Sequence, residues 1–90
     1  MHEAITKLAA EMAEHINENK SPEGYTIVCT RRELRHMVSE ATLAAEDVTF
    51  FMNQFFDEME DEHNMFLEVS QYDDIVLDER EFGSMEHEPL

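Results

Sequence analysis

The stretch Ala44 to Glu62, AAEDVTFFMNQFFDEMEDE, constrains the fold more than any other part of the chain. At about 100° per residue, Val48, Phe51, Met52, Phe55 and Met59 fall on one stripe, which predicts an amphipathic helix packed on a core. The opposite face carries Glu46, Asp47, Asn53, Gln54, Asp57 and Glu58, and Glu60 to Glu62 close the segment. Phe50 stands among those polar residues, outside the apolar stripe. A core of this kind needs further elements to complete it, and the rest of the chain supplies them.

Before it, Ile5, Leu8, Ala9, Met12 and Ile16 recur at helical spacing, so helix 1 is expected from Glu3 to about Asn19. Ser21-Pro22 and Gly24 make the turn that ends it. The β-rich run Tyr25 to Cys29 predicts a short strand at the edge of a sheet. Thr30 and Glu33 have the spacing of a capping box, in which hydroxyl and carboxylate each satisfy a backbone N–H of the other residue. Helix 2 therefore begins at Arg31 and runs to about Ser39, with Leu34, Met37, Val38 and Ala41 on its buried side. Thr42 is taken as the N-cap of helix 3. One continuous helix from Arg31 to Glu62 is the rival, but the apolar stripe drifts between the two halves, and about thirty residues is long for a small domain.

After it, Met65 to Gln71 alternates as a strand, with Met65, Leu67 and Val69 on one side. Tyr72-Asp73-Asp74 is a turn, and Ile75-Val76-Leu77 returns to complete a hairpin. Residues 1–79 are thus expected to form one α+β domain, and 80–90 an acidic, flexible tail. Ninety residues suit a single modest core.

The net charge is −16, and it is unevenly placed. Residues 1–38 hold six acids against Lys7, Lys20, Arg31, Arg32 and Arg35, whereas residues 39–90 hold sixteen acids against Arg80 alone. A one-sided block is the pattern of a field aimed at a basic partner. A halophilic source, or an acidic surface without a target, is the bland alternative. No apolar run is long enough to span a membrane. A lone Cys29 and the lack of a leader pattern after Met1 point to a reducing, intracellular, cytoplasmic setting.

The order helix, short strand, helix, turn, helix, hairpin resembles the winged helix-turn-helix superfamily. TRRELRHMV is similar to its second helix, AAEDVTFFMNQFFDEM is placed like its recognition helix, and MFLEVSQYDDIVLDE is placed like its wing. The resemblance covers about residues 3–79 and is one of topology; no family-specific motif accompanies it. It implies a third helix that reads the DNA major groove. This chain departs from that pattern where DNA should lie. Asn53 and Gln54 could read bases, but Glu46, Asp47, Asp57 and Glu58 surround them, and the wing turn carries Asp73 and Asp74. Two like charges about 6 Å apart repel by about 1.4 kcal/mol at an effective dielectric near 40. Several such terms outweigh one or two amide–base contacts of about 1–3 kcal/mol each, so direct DNA binding by this face is not expected.

The acidic helix 3 and wing can instead imitate a nucleic-acid backbone. The candidate partner-binding residues are Glu46, Asp47, Phe50, Asn53, Gln54, Asp57, Glu58, Asp73 and Asp74, with Phe50 as an anchor inside a charged rim. The bland readings are a solvated helix face and a Phe50 packed under the wing or against helix 2. Arg31, Arg32, Arg35 and His36 form the one basic cluster and are expected to neutralise carboxylates on helix 1 or helix 3. The acidic run at Asp57 to Glu62 lacks the alternating ligands and central glycine of a calcium loop. The five histidines and single cysteine show no metal-ligand spacing. No catalytic residue, metal or cofactor is expected, since nothing pairs a nucleophile with a base or cradles a phosphate.

The expected function is a non-catalytic protein-binding module that docks on a basic, nucleic-acid-handling surface and inhibits or modulates its owner, in the style of a phage or mobile-element inhibitor. The alternative is a winged-helix DNA-binding transcriptional regulator, dimeric or from a halophile, that turns Arg31, Arg32 and Arg35 to DNA. A third class is an assembly subunit that forms a homodimer through helix 1 or Phe50.

Overall fold

The computed structural model describes residues 2–42 and 47–78. Its elements are α1 (Glu3–Glu18), β1 (Tyr25–Thr30), α2 (Arg31–Thr42), α3 (Val48–His63), β2 (Leu67–Val69) and β3 (Asp74–Asp78). Three helices and a three-stranded antiparallel sheet make the expected α+β layout, with strand order β1-β3-β2 and β1 at an edge.

Each helix is set by local chemistry. The capping box forms as its spacing predicts: the Thr30 N–H donates to Glu33 Oε1 at 2.9 Å, and the Glu33 N–H donates to Thr30 Oγ1 at 3.0 Å. Because Thr30 also ends β1, strand and helix join with no loop between them. α2 runs on to Thr42, three residues beyond the expected end at Ser39. Thr42 is not the cap of the third helix. Its hydroxyl turns back onto the Val38 carbonyl at 3.0 Å, inside α2, a bond open to any threonine late in a helix. Asp47 caps α3 instead, its side chain accepting from the Phe50 N–H at 3.0 Å. The expected start of that helix at Ala44, with Leu43 and Glu46, lies outside the described residues. At the other end Asn64 adopts a left-handed conformation, and the Asn64 and Met65 N–H groups close on the Met59 carbonyl. Asparagine tolerates that conformation better than most residues.

This closure explains why β2 is shorter than the expected Met65–Gln71. Met65 is used to end α3, and Ser70 already belongs to the turn. The Ser70 hydroxyl accepts from the Tyr72 and Asp74 N–H groups, and Asp73 takes a positive φ of 64°. Asp74, expected in the turn, opens β3 and pairs with Thr30 of β1. The turn is itself docked, since the Arg31 N–H donates to the Asp73 carbonyl at 2.8 Å.

The core follows the stripes the sequence predicts, except that Leu8, Met37 and Ala41 are only half-buried and Ala13 joins it. Ile5, Ala9, Met12, Ala13 and Ile16 of α1 meet Leu34 and Val38 of α2, Met52, Phe55 and Met59 of α3, and Ile75 and Leu77 of β3. Phe55 at its centre has no exposed surface. Val48 and Phe51 are half-buried at its margin. No helix among the described residues is long and apolar enough to cross a membrane.

Candidate functional site

α3 is fixed from both sides, by α1 and α2, and its remaining face is open. Steps of three and four residues bring Phe50, Asn53, Asp57, Glu60 and Asp61 into one exposed ridge, with the capping Asp47 at its start. Phe50 is half exposed and meets the half-buried Phe51 edge-to-face, with ring centroids 5.5 Å apart. Phe51 in turn meets the His2 ring at 5.2 Å. Phe50 is therefore neither tucked under the hairpin nor in the core. An aromatic ring supported on one side and open on the other, with carboxylates along the same ridge, can enter a partner's pocket. The ridge acids Asp57, Glu60 and Asp61 have no ion-pair partner among the described residues.

Four of the nine expected site residues, Asp47, Phe50, Asn53 and Asp57, are thus brought together on the ridge. The others are not. Glu58, expected on the polar face, is only 7% exposed; it lies at the edge of the helix's buried stripe, where it cannot serve as a docking charge. Gln54 is half-buried one turn earlier, with its Oε1 enclosed and unpartnered. Asp73 lies beside Arg31, Arg32 and Arg35, away from the α3 acids. Asp74 is half-buried in β3. Glu46 lies outside the described residues.

The basic cluster also differs from expectation. His36 pairs with Glu40 on its own helix at 3.2 Å. Arg31, Arg32 and Arg35 reach no carboxylate on α1 or α3 among the described residues; Arg35 Nη1 donates instead to Thr49 Oγ1 of α3 at 3.4 Å. Arg31, Arg32 and Arg35 are all exposed. Beside them lies a cleft that sequence reasoning missed, in two parts that share Arg31 and Arg35, of which one reaches α3. One part, of about 200 Å³, is lined by Arg31, Arg35, Thr49 and Asn53 above Met52, Phe56 and Val69. The other, of about 580 Å³, is lined by Thr30, Arg31, Arg32, Arg35 and Asp73. The available signal was three arginines in the first two turns of a helix, the positive end of its dipole.

Chemistry elsewhere is quiet. Burial pushes the half-buried Cys29 thiol up to about 11, and the Glu33 charge adds to the rise. A thiol that stays protonated at neutral pH is a poor nucleophile. Among the described residues no three His, Cys, Asp or Glu side chains group closely enough to hold a metal ion. No family model, curated protein or solved structure matches the chain.

Proposed function

We propose that the protein is a non-catalytic, winged-helix-like module whose α3 ridge docks on a basic, nucleic-acid-handling surface of another protein and inhibits or modulates it. The observation that carries this reading is the ridge itself: Phe50, half exposed, on one line with Asp57, Glu60 and Asp61, which have no ion-pair partner among the described residues. The element order and the β1-β3-β2 strand order support the winged-helix-like part of the reading. A net charge of −16 supports a basic partner over an acidic or neutral one, because an unneutralised acidic ridge gains most from cations that meet it. The style of a short acidic inhibitor from a phage or mobile element fits the same features.

Two measurements test the reading together. Affinity capture from source cells, followed by mass spectrometry, should return a basic polymerase, nuclease or repressor, and added nucleic acid should displace it. Fluorescence anisotropy with random and genomic duplexes should show no binding at micromolar protein near physiological salt. Sequence-selective duplex binding that weakens as salt rises would replace the module with a DNA-binding regulator. Recovery of the chain's own copies alone would make it an assembly subunit.

A further inference from the structure

We propose that the cleft between α2, α3 and the hairpin turn binds a small phosphomonoester carrying a planar ring, of which a mononucleotide is the probe. The cleft shares Asn53 with the α3 ridge, but the inference does not require that ridge to have a partner.

Arg31, Arg32 and Arg35 are costly where they are. They crowd one positive charge upon another, Arg31 and Arg35 at a spacing of four, which disfavours a helix. They also stand at the end of α2 where the helix dipole is already positive. The chain has 22 acids for 6 bases, so partners were abundant. No guanidinium of the three finds one within ion-pair distance among the described residues. Asp73 lines the open part of the cleft, and its backbone carbonyl is taken by the Arg31 N–H. Three arginines that line one cleft and find no ion-pair partner among the described residues form a site for a multiply charged oxyanion, which guanidinium forks bind in the bidentate manner.

The second half of the cleft says what the anion is attached to. Next to the arginines the floor becomes apolar, with Phe56, Met52 and Val69, and Thr49 and Asn53 stand at its side. Val69 remains 44% exposed there, although it faces the same side of the sheet as the core residue Ile75. A bare phosphate would leave this part unused. A ring would cover Phe56 and Val69 and present its edge to the Asn53 amide, which both donates and accepts. Arg35 belongs to both parts, and its Nη1 reaches Thr49 Oγ1 at 3.4 Å across the α2–α3 gap. Duplex DNA is a poorer occupant, since its neighbouring phosphates would run onto Asp57 and Glu60 of the adjoining ridge. A single phosphomonoester does not extend that far.

The test is titration of the isotope-labelled protein with the four common ribonucleoside monophosphates, followed by NMR. Adenosine, ribose 5-phosphate, inorganic phosphate and a short duplex are titrated at matched ionic strength. At least one monophosphate should shift the Asn53, Phe56 and Thr49 resonances saturably. It should bind about tenfold tighter than its nucleoside or than phosphate alone, as expected when charge and ring contacts both contribute. Arg35→Gln and Arg31→Gln should each weaken it by about tenfold, with unchanged dispersion elsewhere. Lys7→Gln, which removes one charge from α1, should not. Asn53→Ala, on an exposed position, gives a second variant that leaves the core intact and should also weaken binding. No saturable shift up to roughly 10 mM, equal affinity for phosphate and nucleotide, or tighter binding of duplex would each overturn the proposal.

Discussion

At the scale of single residues, Thr30 and Glu33 were the most legible pair and Glu58 the least. The capping box is a local contract between residues three apart, so its sequence form and its geometry coincide. The backbone N–H of Thr30, and then its side-chain contact, hold the Glu33 carboxyl below the usual carboxylate range. A lowered folded value means the stabilisation is fully present above the unfolded value, near 4.3. It is lost as pH falls through the folded value. Glu33→Gln should therefore melt below the parent above about pH 5, and the difference should close in stronger acid; a deficit independent of pH would remove the charge from this account. Glu58 was illegible because a helical wheel gives angle and not depth. It sits at the edge of the apolar stripe, where burial is decided by how the neighbouring elements pack against α3. Thr42 was expected to cap α3, but its hydroxyl bonds back inside α2, and Asp47, expected only as a docking acid, is the cap.

Elements were legible wherever a period ran long enough. All three helices, the edge strand and the hairpin were legible from their periods, and the boundaries that moved did so where an end was closed by a backbone group, as at Met65, or by a side chain, as at Asp47 and Ser70. What the pattern could not supply was pairing between elements. The arginines of α2 were expected to neutralise acids, and whether a carboxylate stands opposite them is a fact of the α2–α3 approach. α3 has an enclosed face and an open one, and two substitutions five residues apart separate them. Phe55→Ala should cost about 3–5 kcal/mol of stability, since its ring is wholly enclosed. Phe50→Ala should leave the melting curve close to that of the parent while costing roughly 2 kcal/mol or more of partner affinity, read mainly in the dissociation rate. A collapse of the melting temperature on Phe50→Ala would return that ring to the core. Changing Asp57, Glu60 and Asp61 to their amides should instead slow association and flatten its salt dependence, because rim charges act through steering. An unchanged association rate would take the ridge out of the encounter.

For the whole molecule, charge is the organising property. The acidic second half of the sequence folds so that α3 turns Asp57, Glu60 and Asp61 outward in a row, and three of the first half's five basic residues, Arg31, Arg32 and Arg35, stand at the start of α2. The surface is therefore polarised, with an acidic ridge adjoining an arginine cleft. The ridge was legible in outline, from composition and period. The cleft required three elements at once. The central claim is that Phe50 and the acids in line with it are the docking face. A photo-crosslinking residue placed at position 50 in source cells, with a second placement at the exposed Glu14 on α1, tests it most directly. The account predicts that position 50 captures a basic nucleic-acid-binding protein, that position 14 does not, and that Asp57→Asn with Asp61→Asn reduces the yield. Equal capture at both positions, or none at position 50 while the protein is otherwise held in a complex, would contradict it.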